Sequence, residues 1–175
     1  GDNVTTGYFV AQDDDTDEAF DDGWFHTGDL GALDDEGRLH VHGRKKEVII
    51  TPEGLNVYPE DVERVVDSLP EVTESAVVGV TRDNEERVHA VVVLESSADL
   101  IEVARTANRQ LGDHQRIRSV LIWPEARLPR TEGTQKLKRG VVRDWATKGA
   151  TPVLTTMDAG GRNVAPIQER VAGGS

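Results

Sequence analysis

The apolar residues are concentrated between positions 47 and 149, and their spacing changes from segment to segment. Val62, Val65, Val66 and Leu69 recur three and four residues apart, which predicts a helix with one apolar stripe, ended by Pro70. Pro59 suits the first helical position, and Glu60 and Asp61 suit the positive end of the dipole. The runs SAVVGV (75–80) and RVHAVVVLE (87–95) lack that period and predict two strands joined by a polar turn. Leu100, Ala104, Ala107 and Leu111 predict a second helix over about 98–111, closed by Gly112. RIRSVLIWP (116–124) predicts a third strand. Leu137, Val141, Val142 and Trp145 predict one side of a last helix, closed near Gly149.

Upstream the signal is weaker. EVIIT (47–51) predicts a compact buried strand, followed by the Pro/Gly loop PEGLN. GWFHTGDLGALDDEGRLHVHGR (23–44) predicts short strands around a turn at Asp34-Asp35-Glu36-Gly37, with Leu39 and Val41 on one face. The order over 47–149 is β–α–β–β–α–β–loop–α, an α+β unit with helices packed on a short sheet. Residues 150–175 are small, polar and Gly-rich, and are expected to form a flexible tail or linker.

Composition narrows the function. A formal net charge of −12 argues against a nucleic-acid binder, which needs a positive surface to displace counterions. The acidic run QDDDTDEAFDDG (12–23) lacks the alternating ligands and turn glycine of a calcium loop, so it is expected to be a solvated loop or short helix. The absence of cysteine excludes disulfides and thiolate metal sites, and it fits a cytoplasmic location. No apolar run reaches membrane-spanning length and no signal peptide is visible. The chain opens on GDNVTTGYFV without an initiating Met and reads as a piece of a larger protein.

Three places could carry chemistry. In His26-Thr27-Gly28-Asp29 a carboxylate on a tight turn could accept bonds from a vicinal diol, or simply cap local backbone donors. In Gly43-Arg44-Lys45-Lys46-Glu47 the cations could be a solvated connector, unless Arg44 meets a ribose or phosphate. In LPRTEGTQKLKR (128–139) a lysine could act as a mobile point charge, or the loop could be basic surface. Singly, each favours the plainer alternative. There is no Gly-rich phosphate loop, no metal-ligand cluster and no GxSxG turn in these residues.

Together, GWFHTGD, GRKKEVIITPEGLNVYPEDVE and PRTEGTQKLKR resemble, in order and separation, the C-terminal third of the adenylate-forming superfamily over roughly residues 1 to 147. The likeness expected to be closest is to AMP-forming fatty acyl-CoA synthetases. That resemblance implies a two-step ligase: a carboxylic acid and ATP give acyl-AMP, and CoA then displaces AMP. It implies the end piece of a large N-terminal AMP-binding domain at 1–45, a mobile C-terminal lid at 46–149 and a tail at 150–175. The role of holding the AMP ribose falls on Asp29 and Arg44. Lys46 falls at the hinge, where many relatives carry Asp, and Gly54 in the loop lining the pantetheine tunnel. The catalytic lysine of the PRTxxGK-type motif falls on Lys136, with Lys138 as fallback; the motif here is one residue longer and lacks Gly beside the lysine.

The phosphate loop, the glutamate associated with magnesium and the acyl pocket belong, in such enzymes, to the larger N-terminal domain. That domain is therefore an expected partner, and the chain alone is expected to be inert. Two alternatives stand beside this. An acyl-AMP ligase or adenylation domain would load the phosphopantetheine of an acyl carrier protein. A non-catalytic docking module would have no physical need of Asp29, Arg44 and Lys136 together.

Overall fold

A strand buried on both faces is written as an unbroken apolar run rather than an alternation, and the central sheet is built from such runs. In the computed structural model the described residues are 20–21, 24–95, 99–148, 156–157 and 163–164. The chain divides into two compact units, Gly1–Lys46 and Glu47–Ser175.

In the first unit, β1 (Phe20–Asp21) pairs antiparallel with β2 (Trp24–Phe25), and β3 (Asp29–Leu33) with β4 (Leu39–Arg44). The turn between β3 and β4 is the one expected. Asp34 accepts from the backbone of Glu36 and Arg38 and from the side chains of Arg38 and His40. The His40 and Arg38 side-chain bonds hold its carboxyl down to about 2. Leu33, Leu39 and Val41 are all exposed. The rest of the acidic run 12–23 lies outside the described residues.

The second unit begins with β5 (Ile49–Ile50) paired to β6 (Asn56–Val57). The strand expected from EVIIT is thus only two residues long, and Ile50 is 56% exposed while Ile49 is buried. Helix α1 spans Pro59–Val66 and stops short of Pro70. Its buried face holds Val62 and Val66 and also Glu63, which the apolar pattern could not mark.

Strands β7 (Val72–Arg82) and β8 (Glu85–Leu94) form a long antiparallel pair. Asp83 and Asn84 join them at φ 52° and 62°, the paired positive values that a two-residue hairpin requires. Helix α2 (Leu100–Gln110) is capped by Asp99, whose carboxylate accepts from the Ile101 amide at 2.9 Å. Gly112 does not close it in a left-handed conformation; its φ is −64°, and Leu111 ends the helix extended. β9 (Ser119–Ile122) then lies parallel to β8, and α3 covers Arg139–Thr147.

The sheet order is β7–β8–β9. One face packs Val77, Ala90, Val92 and Val120 with Val62 and Val66 of α1 and Val103, Ala104 and Ala107 of α2. The other packs Ala76, Val78, Val91 and Leu121 with Val142 and Ala146 of α3. Trp123 and Trp145 meet edge-on there, with centroids 4.8 Å apart. The last helix departs from expectation at Val141, which is 49% exposed while Ala146 takes the buried place. In the expected tail, β10 (Thr156–Met157) pairs with β11 (Asn163–Val164); the remainder of 150–175 lies outside the described residues.

One buried group makes stability pH-dependent. His89 lies in the middle of β8, opposite Val78 and Ser119, and its Nδ1 has no hydrogen-bond partner. Burial, and secondarily the Arg82 charge, lower its pKa to about 4. Between pH 6.5 and 4 the unfolded chain therefore binds the extra proton, so stability falls as pH drops through that window. The loss is expected to reach about 3 kcal/mol by pH 4. Glu63, whose pKa is raised by burial, acts in the opposite sense. Urea unfolding at pH 7 and pH 4.5 checks this: His89→Leu should lose less stability on acidification than the parent chain. Equal losses would show that His89 is not the responsible group.

Candidate functional site

In the first unit the sequence brings Asp29 and Arg44 together. They face each other at one end of the β3–β4 ladder. Arg44 Nε lies 2.9 Å from Asp29 Oδ1, and one terminal nitrogen donates to the Thr27 carbonyl at 2.9 Å. Gly28 turns the chain at φ 73°, a value costly for any side-chain-bearing residue, and the Asp29 amide donates to Thr27 Oγ1 at 3.1 Å. Both side chains stay accessible, at 51% for Arg44 and 37% for Asp29. An open carboxylate with an adjoining guanidinium can exchange part of its pairing for a diol's hydroxyls.

Lys46 sits in the 3₁₀ turn Lys45–Glu47, and the division between the two units falls directly after it.

In the second unit, Thr51 to Leu55 form the tight end of the β5–β6 hairpin. The Gly54 amide donates to the Thr51 carbonyl at 2.8 Å, and the Leu55 amide to Thr51 Oγ1 at 3.3 Å. Gly54 takes φ 78°, and nothing lies within 4 Å of where a Cβ would stand, so its backbone face is open. Glu53 has its carboxyl held below the usual range by its own backbone amide and by Thr51. Beside this turn is a groove of about 320 Å³, lined among others by Leu55, Arg87, His114, Arg116 and Arg118. No sequence pattern marks it, because its arginines come from two distant segments, Arg87 in β8 and Arg116 and Arg118 ahead of β9.

The basic loop is a small hairpin. Thr131 and Lys136 are tied at its neck by one backbone and one side-chain bond: the Thr131 amide donates to the Lys136 carbonyl at 2.8 Å, and the Lys136 amide to Thr131 Oγ1 at 3.0 Å. Arg130 bridges to Leu137, and the Lys138 amide donates to the Pro129 carbonyl at 2.8 Å. Arg130 also ties the strands with its side chain, donating to the Gln135 carbonyl at 3.1 Å and reaching Glu74 at 3.4 Å. The additional residue of the motif lies in the tip, 132–135. Gln135 has φ 55°, so the position before the lysine keeps a left-handed backbone although it is not Gly. Lys136 and Lys138 are both exposed.

Sequence reasoning missed the group beneath this loop. Arg139, read as one more surface cation, is 12% exposed and bonded to Glu47 and Glu63. Among the described residues no three His, Asp or Glu side chains are grouped so as to hold a metal ion, and no helix is long and apolar enough to cross a membrane.

Residues 61–134 match the AMP-binding enzyme C-terminal domain. The 2-succinylbenzoate–CoA ligase of Bacillus mycoides is 39% identical over 141 residues, which cover 79% of this chain and 28% of that protein. The o-succinylbenzoate CoA synthetase of Bacillus subtilis, solved with its acyl-adenylate intermediate, superposes with a TM-score of 0.72 at 34% identity, covering 82% of this chain and 29% of that one. A Mycobacterium tuberculosis fatty acyl CoA synthetase gives a TM-score of 0.58 at 33% identity, covering 77% of this chain and 26% of that one. This chain thus spans under a third of each. The curated relatives are named for 2-succinylbenzoate, so the expected leaning toward fatty acids draws no support from them. The chain belongs to the adenylate-forming superfamily, of which it is the C-terminal portion.

Proposed function

We propose that the protein carrying this chain is an ATP-dependent acid–CoA ligase. In its first step a carboxylate oxygen attacks the α-phosphorus of ATP and pyrophosphate leaves. In its second the thiol sulfur of CoA attacks the acyl carbonyl, AMP leaves, and the thiol proton passes to solvent. The observation that carries this is the Lys136 hairpin, which holds an exposed ammonium on a backbone braced by Thr131 and Arg130. Its role is to meet the negative charge that grows as the carboxylate attacks. Asp29 and Arg44 hold the ribose, and Lys46 is the pivot between the two steps.

The groove supports CoA as the acceptor. The open Gly54 backbone in the adjoining turn suits the thiol arm, and Arg87, Arg116 and Arg118, which share the lining with Glu53, Glu86 and Asp113, can donate to a phosphorylated nucleotide end. CoA has such an end, whereas a carrier protein offers one phosphodiester, so the groove favours CoA. The acid is fatty or aryl; its pocket, by the superfamily's plan, lies in the larger domain.

The test compares two proteins. The complete protein should exchange pyrophosphate into ATP when given its acid and should form CoA thioesters across a panel of fatty and aryl acids. The 175-residue chain alone should do neither and should bind AMP only weakly, because Asp29 and Arg44 lack an adenine pocket. Robust exchange by the chain alone would overturn this division of labour. Transfer to a carrier protein but not to CoA would overturn the choice of acceptor.

A further inference from the structure

Arg139 opens α3 only three residues after Lys136. Its Nε donates to Glu47 Oε2 at 2.8 Å. One terminal nitrogen donates to Glu63 Oε1 and, at 3.1 Å, to the Val77 carbonyl; the other donates to Glu63 Oε2 at 3.2 Å. Glu60 lies 3.9 Å away, and Glu63 also accepts from the Val77 amide at 2.7 Å. A single guanidinium therefore joins the start of α3 to α1, to β7 and to Glu47.

Such a group is an expensive way to hold a helix. Buried ion pairs must recover a large desolvation cost, and apolar packing would anchor α3 equally well. Burial leaves its mark on Glu63, whose pKa is raised in spite of the bonds from Arg139. A planar fork does what apolar packing does not: it fixes direction and register at once. Here the register matters, because only Leu137 and Lys138 separate Arg139 from Lys136. Leu137 is bridged to Arg130, and the Lys138 amide is bonded to Pro129. A displacement of Arg139 would pass through this short braced segment to the hairpin tip.

We propose that Arg139 is a positioning residue for Lys136, fixing the hairpin against Glu47, the residue that follows the proposed pivot. The inference rests on the ligase function above and deepens it. Arg139 touches no reacting atom; it sets where the lysine stands when the lid carries it in.

The test uses the complete protein with Arg139→Lys, which keeps the charge beside Glu63 but loses the fork. Glu47→Ala is a second variant, leaving the Arg139–Glu63 pair intact so that folding is preserved. Adenylation and thioester formation are assayed separately, with Lys136→Ala as reference. Amide exchange is followed in the 175-residue chain. Arg139→Lys should lower kcat for adenylation roughly 10–100-fold, the scale of a catalytic group misplaced by about 1 Å. KM for ATP and the second step should not change. Glu47→Ala should give a smaller loss of the same kind. The amides of Thr131, Lys136 and Lys138 should exchange faster, while those of Val91 and Val92 keep their rates. Normal adenylation in both variants, beside a Lys136→Ala enzyme that has lost it, would overturn the proposal. Uniformly faster exchange throughout the unit would also overturn it, since that marks a merely structural role. If Lys136→Ala adenylates normally, the catalytic role given to Lys136 fails instead, and the local exchange pattern alone decides whether Arg139 fixes the hairpin.

Discussion

Lys136→Ala in the complete protein is expected to slow acyl-adenylate formation roughly 10²–10³-fold while leaving thioester formation from preformed acyl-adenylate nearly unchanged. The reason is where and when the charge appears. ATP's phosphates are negative in the ground state, but charge shifts as the carboxylate oxygen closes on phosphorus. A donor aimed at that shift is worth about 3–4 kcal/mol in a site closed to water. In the proposed mechanism the lid turns for the second step and carries the lysine away, so its loss should no longer matter. Lys138 is the control. It lies two residues along from Lys136, is exposed as well, and is the fallback for the catalytic lysine. In the structure Lys136 stands at the neck of the turn, whereas Lys138 is already the N-cap of α3. Lys138→Ala should therefore cost little. If it produces the split instead, the lengthened tip has moved the register; if neither variant separates the steps, the hairpin is only solvated surface.

The central sheet was legible because its valine runs have only one economical place to go. Runs such as Ala76 to Val78 and Ala90 to Val93 exceed what one buried face can absorb, so helices were required on both sides. Boundaries were harder to read. Leu69 continues the stripe of α1 and is buried, yet it lies beyond the helix end at Val66, since the turn through Asp67 still delivers it to the core. Val141 is apolar and adjacent to Val142, but the buried stripe of α3 runs from Val142 to Ala146 four residues on, which turns Val141 toward solvent.

For the candidate site the pattern was reversed. Local turns were readable: Thr27-Gly28-Asp29 and Thr51 to Gly54 announce themselves by glycines that must take positive φ. The motif resemblance assigned Asp29 and Arg44 to one ribose without pairing them; the pairing itself appears only through the β3–β4 register. Contacts between distant positions had no signal at all. Glu63 and Arg139 are 76 residues apart, and each reads as an ordinary solvated charge on an amphipathic helix. The arginine groove failed to appear for the same reason.

A proline at the proposed pivot should uncouple the two half-reactions. Lys46→Pro in the complete protein is expected to preserve most of the adenylation rate and to reduce thioester formation about 10²-fold. Lys46 lies inside the 3₁₀ turn Lys45–Glu47, where φ is close to the −65° that proline imposes. The ring fixes that dihedral and also disfavours the helical region for Lys45 before it, at the start of the turn. Two neighbouring backbone positions at the division between the units thus lose the freedom that a domain rotation would use. A penalty of about 3 kcal/mol against one orientation makes it ~10²-fold rarer, and the half-reaction that needs it slows in proportion. Lys46→Ala separates backbone from charge, because it removes the ammonium but leaves φ free, and it should support both steps. Stopped-flow release of pyrophosphate reports the first step and CoA consumption the second. A split in the opposite direction would keep the pivot at Lys46 but place the trapped lid in its thioester-forming pose. Equal loss of both rates in a folded Lys46→Pro protein would mean that the chain turns elsewhere.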